Sequence, residues 1–159
     1  MAILACASRA FPSFAASVRR FVESGTSTVK ISPGVGASAA VLLLADFVNS
    51  LPGGMRAAFE FRHQSWFEDE VFNALKARNV ALCIADTEDL TTPQMATADY
   101  GYLRLRREDY AKADVERWAE IVRGQNEHWK DTFIYFKHEE AGIGPKLAMQ
   151  MTELLKEDK

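Results

Sequence analysis

The sequence predicts an α/β fold built on a mainly parallel sheet, and three observations carry that prediction. Apolar, strand-like runs alternate with segments of helical periodicity along the chain. One run, "VALCIAD" at 80–86, is apolar almost throughout, as expected of a strand covered on both faces. The 159 residues contain no internal repeat, low-complexity tract or interdomain linker, so residues 1–159 read as a single domain long enough to bury a core.

Taken in order, a short buried strand is expected at 3–7. A helix near 13–24 follows, with Phe14, Val18, Phe21 and Val22 at helical spacing and Gly25 as its stop. A short strand near 28–31 leads to a Pro/Gly turn. The next helix, 38–51, places Leu44, Phe47, Val48 and Leu51 on one face and closes at "PGG". A strand at 57–62 runs into Ser65, an N-cap candidate that forms a capping box with Glu68. The helix so started turns Phe67, Val71 and Leu75 inward, with acids in its first turn and Lys76 and Arg78 at its end. After the 80–86 strand, a polar loop with Pro93 reaches a strand at 100–106. A helix near 113–123, a strand at 132–137 and a helix from Pro145 to Lys156 complete the pattern.

Composition narrows the function classes. With 48% hydrophobic and 26% charged residues the chain resembles an ordinary globular protein. A formal net charge of -3 supplies no general attraction to nucleic acid or acidic membranes, and nucleic acid is disfavoured as a partner. No run is long enough for a membrane span. The apolar "MAILACASRAFPSFAA" lacks a basic start and reads as a strand and helix start, not a signal peptide. Cys6 and Cys83 lie in apolar runs, as buried reduced thiols do, which fits a cytoplasmic protein without a disulfide framework.

In a parallel α/β sheet all C-terminal strand ends lie on one side, where ligands bind. Here those ends carry Glu60, Arg62 and His63; Asp86; Arg104 and Arg106; and Lys137 with His138. The strand starts, by contrast, are apolar or small. Alternation puts Phe59 and Phe61 on one face and Glu60 and Arg62 on the other; Leu103 and Leu105 oppose Tyr102, Arg104 and Arg106. If the apolar sets pack under helices, the charges point into a crevice or barrel mouth, where they must pair or meet water and ligand. A locally positive site follows. Arg62, Arg104, Lys137 and His138 are its candidate ligand-binding residues, and Glu60, His63 and Asp86 its candidate acids and bases.

These residues sit in stretches that resemble a known family. From about Leu44 to Leu155, "AFEFRHQSWF", "VALCIADTEDLTTP", "TADYGYLRLRREDY" and "FIYFKHEEAGIGPKLA" are similar to the C-terminal part of the YecE-like family, the domain of unknown function numbered 72. The resemblance covers 44–156 and implies a TIM-type (β/α) barrel with polar strand ends around one mouth; it implies no established reaction. Residues 1–43 stand where full-length members carry several further strand–helix units, and they read as a divergent or remnant part. The pattern supplies fewer than the eight strands of a closed barrel. The chain is thus expected to be a shortened member, a half-barrel that self-associates, or a fragment.

Structural alternatives stand beside each role. Glu60 and Arg62 also suit an ion pair bracing the strand end, His63 a turn contact, and Asp86 a brace for "TEDLTTP". Arg106 reads as a rim residue, and Lys137 and His138 also fit an exposed turn beside Glu139 and Glu140. Three functions remain open: an enzyme acting on an anionic or phosphorylated small molecule, a non-catalytic module for a phosphate-bearing ligand, and an inactive barrel fragment. The cofactor is unknown; a divalent metal on Glu60, His63, Asp86 and His138 is chemically acceptable but not favoured, since the spacing matches no metal motif.

Overall fold

The computed structural model describes residues 2–7, 19–23, 26–30, 37–88, 90–137 and 142–156. In chain order these form β1 (Ala2–Ala7), β2 (Arg19–Glu23), β3 (Thr26–Lys30), α1 (Ala37–Ser50), β4 (Arg56–Phe61), α2 (Asp69–Lys76), β5 (Ala81–Asp86), β6 (Tyr100–Leu105), α3 (Lys112–Gly124), β7 (Asp131–Phe136) and α4 (Ile143–Lys156). The strands make one sheet in the order β2-β3-β1-β4-β5-β6-β7. Every neighbouring pair is parallel except β2 with β3. The result is an α/β fold of partial TIM-type (β/α) barrel form. No helix among the described residues is long and apolar enough to cross a membrane.

Two expected elements are corrected. The helix expected over 13–24 gives way at 19–23 to β2, which runs antiparallel to β3 with Phe21 opposite Thr28; residues 13–18 lie outside the described residues. Short apolar runs fit a helical and an extended period equally, and Gly25 suits a hairpin connection as well as a helix stop. The capping box from Ser65 to Glu68 does not form. A 3-10 turn over Gln64–Trp66 intervenes, and α2 starts at Asp69 with Glu68 extended and without a side-chain cap bond. Phe67 therefore lies half-buried in the connection, whereas Val71 and Leu75 are buried on the helix.

The period of two along each strand sorts the side chains into two layers. Phe59, Phe61 and Leu82 pack with Leu44 and Val48 of α1 and Val71 and Leu75 of α2. Ile84, Leu103 and Leu105 pack with Val115, Trp118 and Ala119 of α3 and Leu147 and Met151 of α4. The opposite, inner face carries Ala58, Ala81, Cys83, Tyr100 and Tyr102, with Phe133 beside them. The Tyr100 hydroxyl donates to Ala57 O and accepts from Ala57 N, tying β6 to the start of β4 across β5.

The strand starts are not uniformly apolar. Arg56 opens β4 and Asp131 opens β7, and their side chains form an ion pair although two strands lie between them. The Arg56 guanidinium also lies over the rings of Tyr100 and Phe133, 5.2 and 5.7 Å from their centroids. A side-chain contact between strands so far apart in order requires the sheet to curl about its inner face, as in a barrel wall.

Gly101 marks a close approach. A Cβ there would sit 2.5 Å from the ring of Trp129, so β6 passes under the indole only because the side chain is absent. Gly101→Ala is expected to cost about 1–3 kcal/mol by overpacking. Urea unfolding monitored by Trp fluorescence checks it, and an unchanged midpoint would contradict the contact.

Candidate functional site

At the C-terminal ends of β4 and β6, one carboxylate gathers three guanidinium groups. Glu60 is the penultimate residue of β4 and only 1% exposed. Its Oε1 accepts from Arg62 Nε at 2.9 Å and lies 3.7 Å from Arg106 Nη1, while its Oε2 accepts from Arg104 Nη1 at 2.5 Å. Arg104 reaches Glu60 across β5, whose inner face carries only the small Cys83 and Ala85 at that level. Burying a carboxylate at a strand end is costly unless it is paired, and here both oxygens are engaged. The three cations outnumber the single anion, and each keeps a wet side: the side chains of Arg62, Arg104 and Arg106 are 44, 23 and 24% exposed.

A pocket of about 400 Å³ opens against this cluster. Glu60, Arg62, Ala85 and Arg106 line one part of it; Thr87, Glu88 and Glu108 line another. Glu88 and Glu108 are exposed, so the mouth is mixed in charge although its buried end is positive. The Thr87 hydroxyl donates to Leu90 O at 3.0 Å and accepts from Leu90 N at 3.1 Å, closing the loop that forms this wall. The Nε of Arg106 is buried with no hydrogen-bond partner among the described residues.

The other sequence-derived candidates lie elsewhere. His63 is half-buried at the head of the 3-10 turn, where its Nδ1 accepts from Ser65 N at 3.1 Å and lies 2.9 Å from Ser65 Oγ. Asp86 ends β5 on the helix-facing side, in phase with Leu82 and Ile84. It accepts from the Tyr110 hydroxyl at 2.8 Å and from Trp118 Nε1 at 3.1 Å, with Arg107 Nε 3.8 Å away. Burial, and then the bond to Asp86, push the Tyr110 hydroxyl well above the ordinary tyrosine range, so it stays a donor at neutral pH. Lys137 is exposed just past β7, and its backbone N–H extends the ladder to Leu105 O. His138 lies outside the described residues. No group of three His, Cys, Asp or Glu side chains among the described residues is placed to hold a metal ion.

Arg106, read from sequence as a rim residue, instead joins Glu60; the alternation that pairs it with Arg104 is the signal that marks it. Thr87, Glu88 and Glu108 carried no such signal, because they sit on connections whose path only the folded chain sets.

An α/β barrel-type sheet with a charged cluster at the C-terminal strand ends belongs to a large architectural class with many chemistries. Within that class the chain belongs to DUF72, described as a protein of unknown function, whose family model matches residues 4–159. It is similar to the crystal structure of a DUF72 family protein from Thermotoga maritima MSB8, with 24% identity and a TM-score of 0.60 over 73% of this chain and 51% of that one. A DUF72 family protein from Enterococcus faecalis V583 is similar at 18% identity and a TM-score of 0.59, over 74% of this chain and 52% of that one. The chain thus spans about half the length of these structures. No functionally curated protein matches it.

Proposed function

We propose that the pocket over Glu60 binds an anionic small molecule, with phosphate or carboxylate as the recognised group. The observation that supports this reading is the excess of guanidinium over carboxylate at a buried strand end. Glu60 neutralises one of three arginines, fixes the direction of Arg62 and Arg104 by hydrogen bonds and draws Arg106 toward it. Arg62 and Arg106 line a pocket large enough for a small metabolite, and Arg104 backs them through the other oxygen of Glu60. Guanidinium groups already oriented by a buried carboxylate lose little freedom when an anion arrives, which favours affinity. Lys137, exposed just past the neighbouring β7, adds positive charge at that end of the sheet.

In this reading Glu60 positions the arginines instead of exchanging a proton with substrate, since both its oxygens are engaged. Asp86 and His63 brace the helix layer and the turn. A catalytic version of the same site draws its acid or base from Glu88 or Glu108, whose exposed carboxylates line the pocket. Calorimetric titration with inorganic phosphate and a panel of phosphorylated sugars tests the proposal. Arg106→Ala, at a guanidinium that lines the pocket, is expected to weaken the tightest of these by about 1.5–3 kcal/mol, roughly 10- to 150-fold. Equal affinity in wild type and variant removes Arg106 from the site. Absence of binding by any of the panel removes the phosphate reading.

A further inference from the structure

The last strand of the sheet has an edge that no other described strand covers. β7 has β6 on one side and no strand on the other among the described residues. The Lys137 N–H donates to Leu105 O on β6. Backbone groups of a strand alternate in direction, so Phe133, Tyr135 and Lys137 bond inward to β6. Thr132, Ile134 and Phe136 present their N–H and C=O groups at the free edge. Natural sheets blunt such edges with Pro, inward charges or bulges. From Thr132 to Phe136 β7 has neither a proline nor a charged residue, and Tyr135 is 48% exposed.

We propose that this edge is an interface between two copies of the chain, in which β7 pairs antiparallel with β7 of the second copy about a two-fold axis at Ile134. In that register Ile134 faces Ile134 and Thr132 faces Phe136, so all three edge-facing residues fall in hydrogen-bonded pairs that exchange two bonds each. Phe133 faces Tyr135 on the inner side, an aromatic cross-strand pair that covers the exposed ring. Asp131 faces Lys137 of the second copy at both ends of the ladder. These two residues carry the charges that flank the apolar run, they are both exposed, and they lie on the same face of the strand. A shift of the axis by one residue either way puts Asp131 against Tyr135 or takes it past Lys137, so the charges select one register. Asp131 keeps its ion pair with Arg56, because it is about half exposed and its other oxygen remains open to the incoming ammonium.

The outer side fits the same partner. An apolar groove of about 330 Å³ runs between Thr132, Ile134 and Phe136 of β7 and Ala148, Met151 and Leu155 of α4. The second copy's Ile134 and Phe136 side chains emerge over this groove in the stated register. An isologous contact of this kind closes on itself and yields a dimer, not a fibre.

Sedimentation equilibrium of the whole chain, across a concentration series and with circular dichroism as the folding control, tests the proposal. Wild type is expected to dimerise. Lys137→Asp puts two like-charged pairs in the homodimer, and Asp131→Lys does the same with the opposite sign; each is expected to dimerise at least about tenfold more weakly. Mixing the two variants places opposite charges at both ends and is expected to recover wild-type affinity. A wild type that stays monomeric, single variants that dimerise as well as wild type, or a mixture that recovers nothing overturns the interface. The anion reading of the Glu60 pocket does not depend on the outcome.

Discussion

Glu60→Ala is expected to destabilise the chain by about 3 kcal/mol, the lower end of what losing one partner of a buried ion pair costs. The side chain is 1% exposed and holds three guanidiniums through its two oxygens. Without it, Arg104 and Arg106, each about three-quarters buried, face one another and Arg62 with no counter-charge between them. Their exposed edges keep some water, which places the loss at the lower end of the range. Glu60→Gln retains the shape and one acceptor but not the charge, so an intermediate loss is expected. A urea titration showing a lowered midpoint at unchanged slope checks both. The same variant makes a second expectation about function. Inorganic phosphate should raise the melting temperature of Glu60→Ala more than that of wild type, because the added anion takes the vacated position among the arginines. A Glu60→Ala chain as stable as wild type would mean that the carboxylate does not hold the strand ends together.

Leu103→Ala is expected to cost about 2–5 kcal/mol. Leu103 is wholly buried in the middle of β6, in the cluster that joins the sheet to α3 and α4. Both helices pack on the cavity it would leave, and the adjoining strands are fixed by the register Ile84–Leu103–Ile134. The site has little freedom to collapse, so most of the cavity cost is retained. Thermal unfolding followed by circular dichroism checks it. A loss well below 1 kcal/mol would show that α3 and α4 reseat onto the sheet, and that the outer layer is softer than its packing implies.

Most of the fold was legible because parallel strands and covering helices leave strong periodicities. The 80–86 run reads as a buried strand because the helix layer and the inner side chains cover it completely, and every residue of β5 is buried. Around the candidate site, alternation placed Glu60 and Arg104 each on the face opposite its strand's apolar set, because both lie on regular strands, where a period of two leaves little choice. It failed for elements that owe their form to a partner. Residues 19–23 are a strand only because β3 lies beside them, and a five-residue segment whose apolar residues are Phe21 and Val22 alone has no period of its own to announce that. The turn at Gln64–Trp66 displaced the expected cap for a related reason: the His63 side chain takes the Ser65 N–H that would otherwise belong to a helix start.

By itself the sequence determined the class of fold, the two faces of β4 and β6, and the concentration of charge at one end of the sheet, since each follows from local spacing and the pleat of an extended chain. Which charges meet was decided only by the tertiary structure. Glu60 and Arg104 are 44 residues apart and touch because β5 offers nothing larger than Cys83 and Ala85 between them. Asp86, as polar as Glu60 and also at a strand end, turns to the opposite face and meets Tyr110 and Trp118 of the helix layer. A one-residue difference in where the charge falls along the strand sends one carboxylate to the pocket and the other to the core, and that phase has meaning only once the neighbouring strands set which face is which.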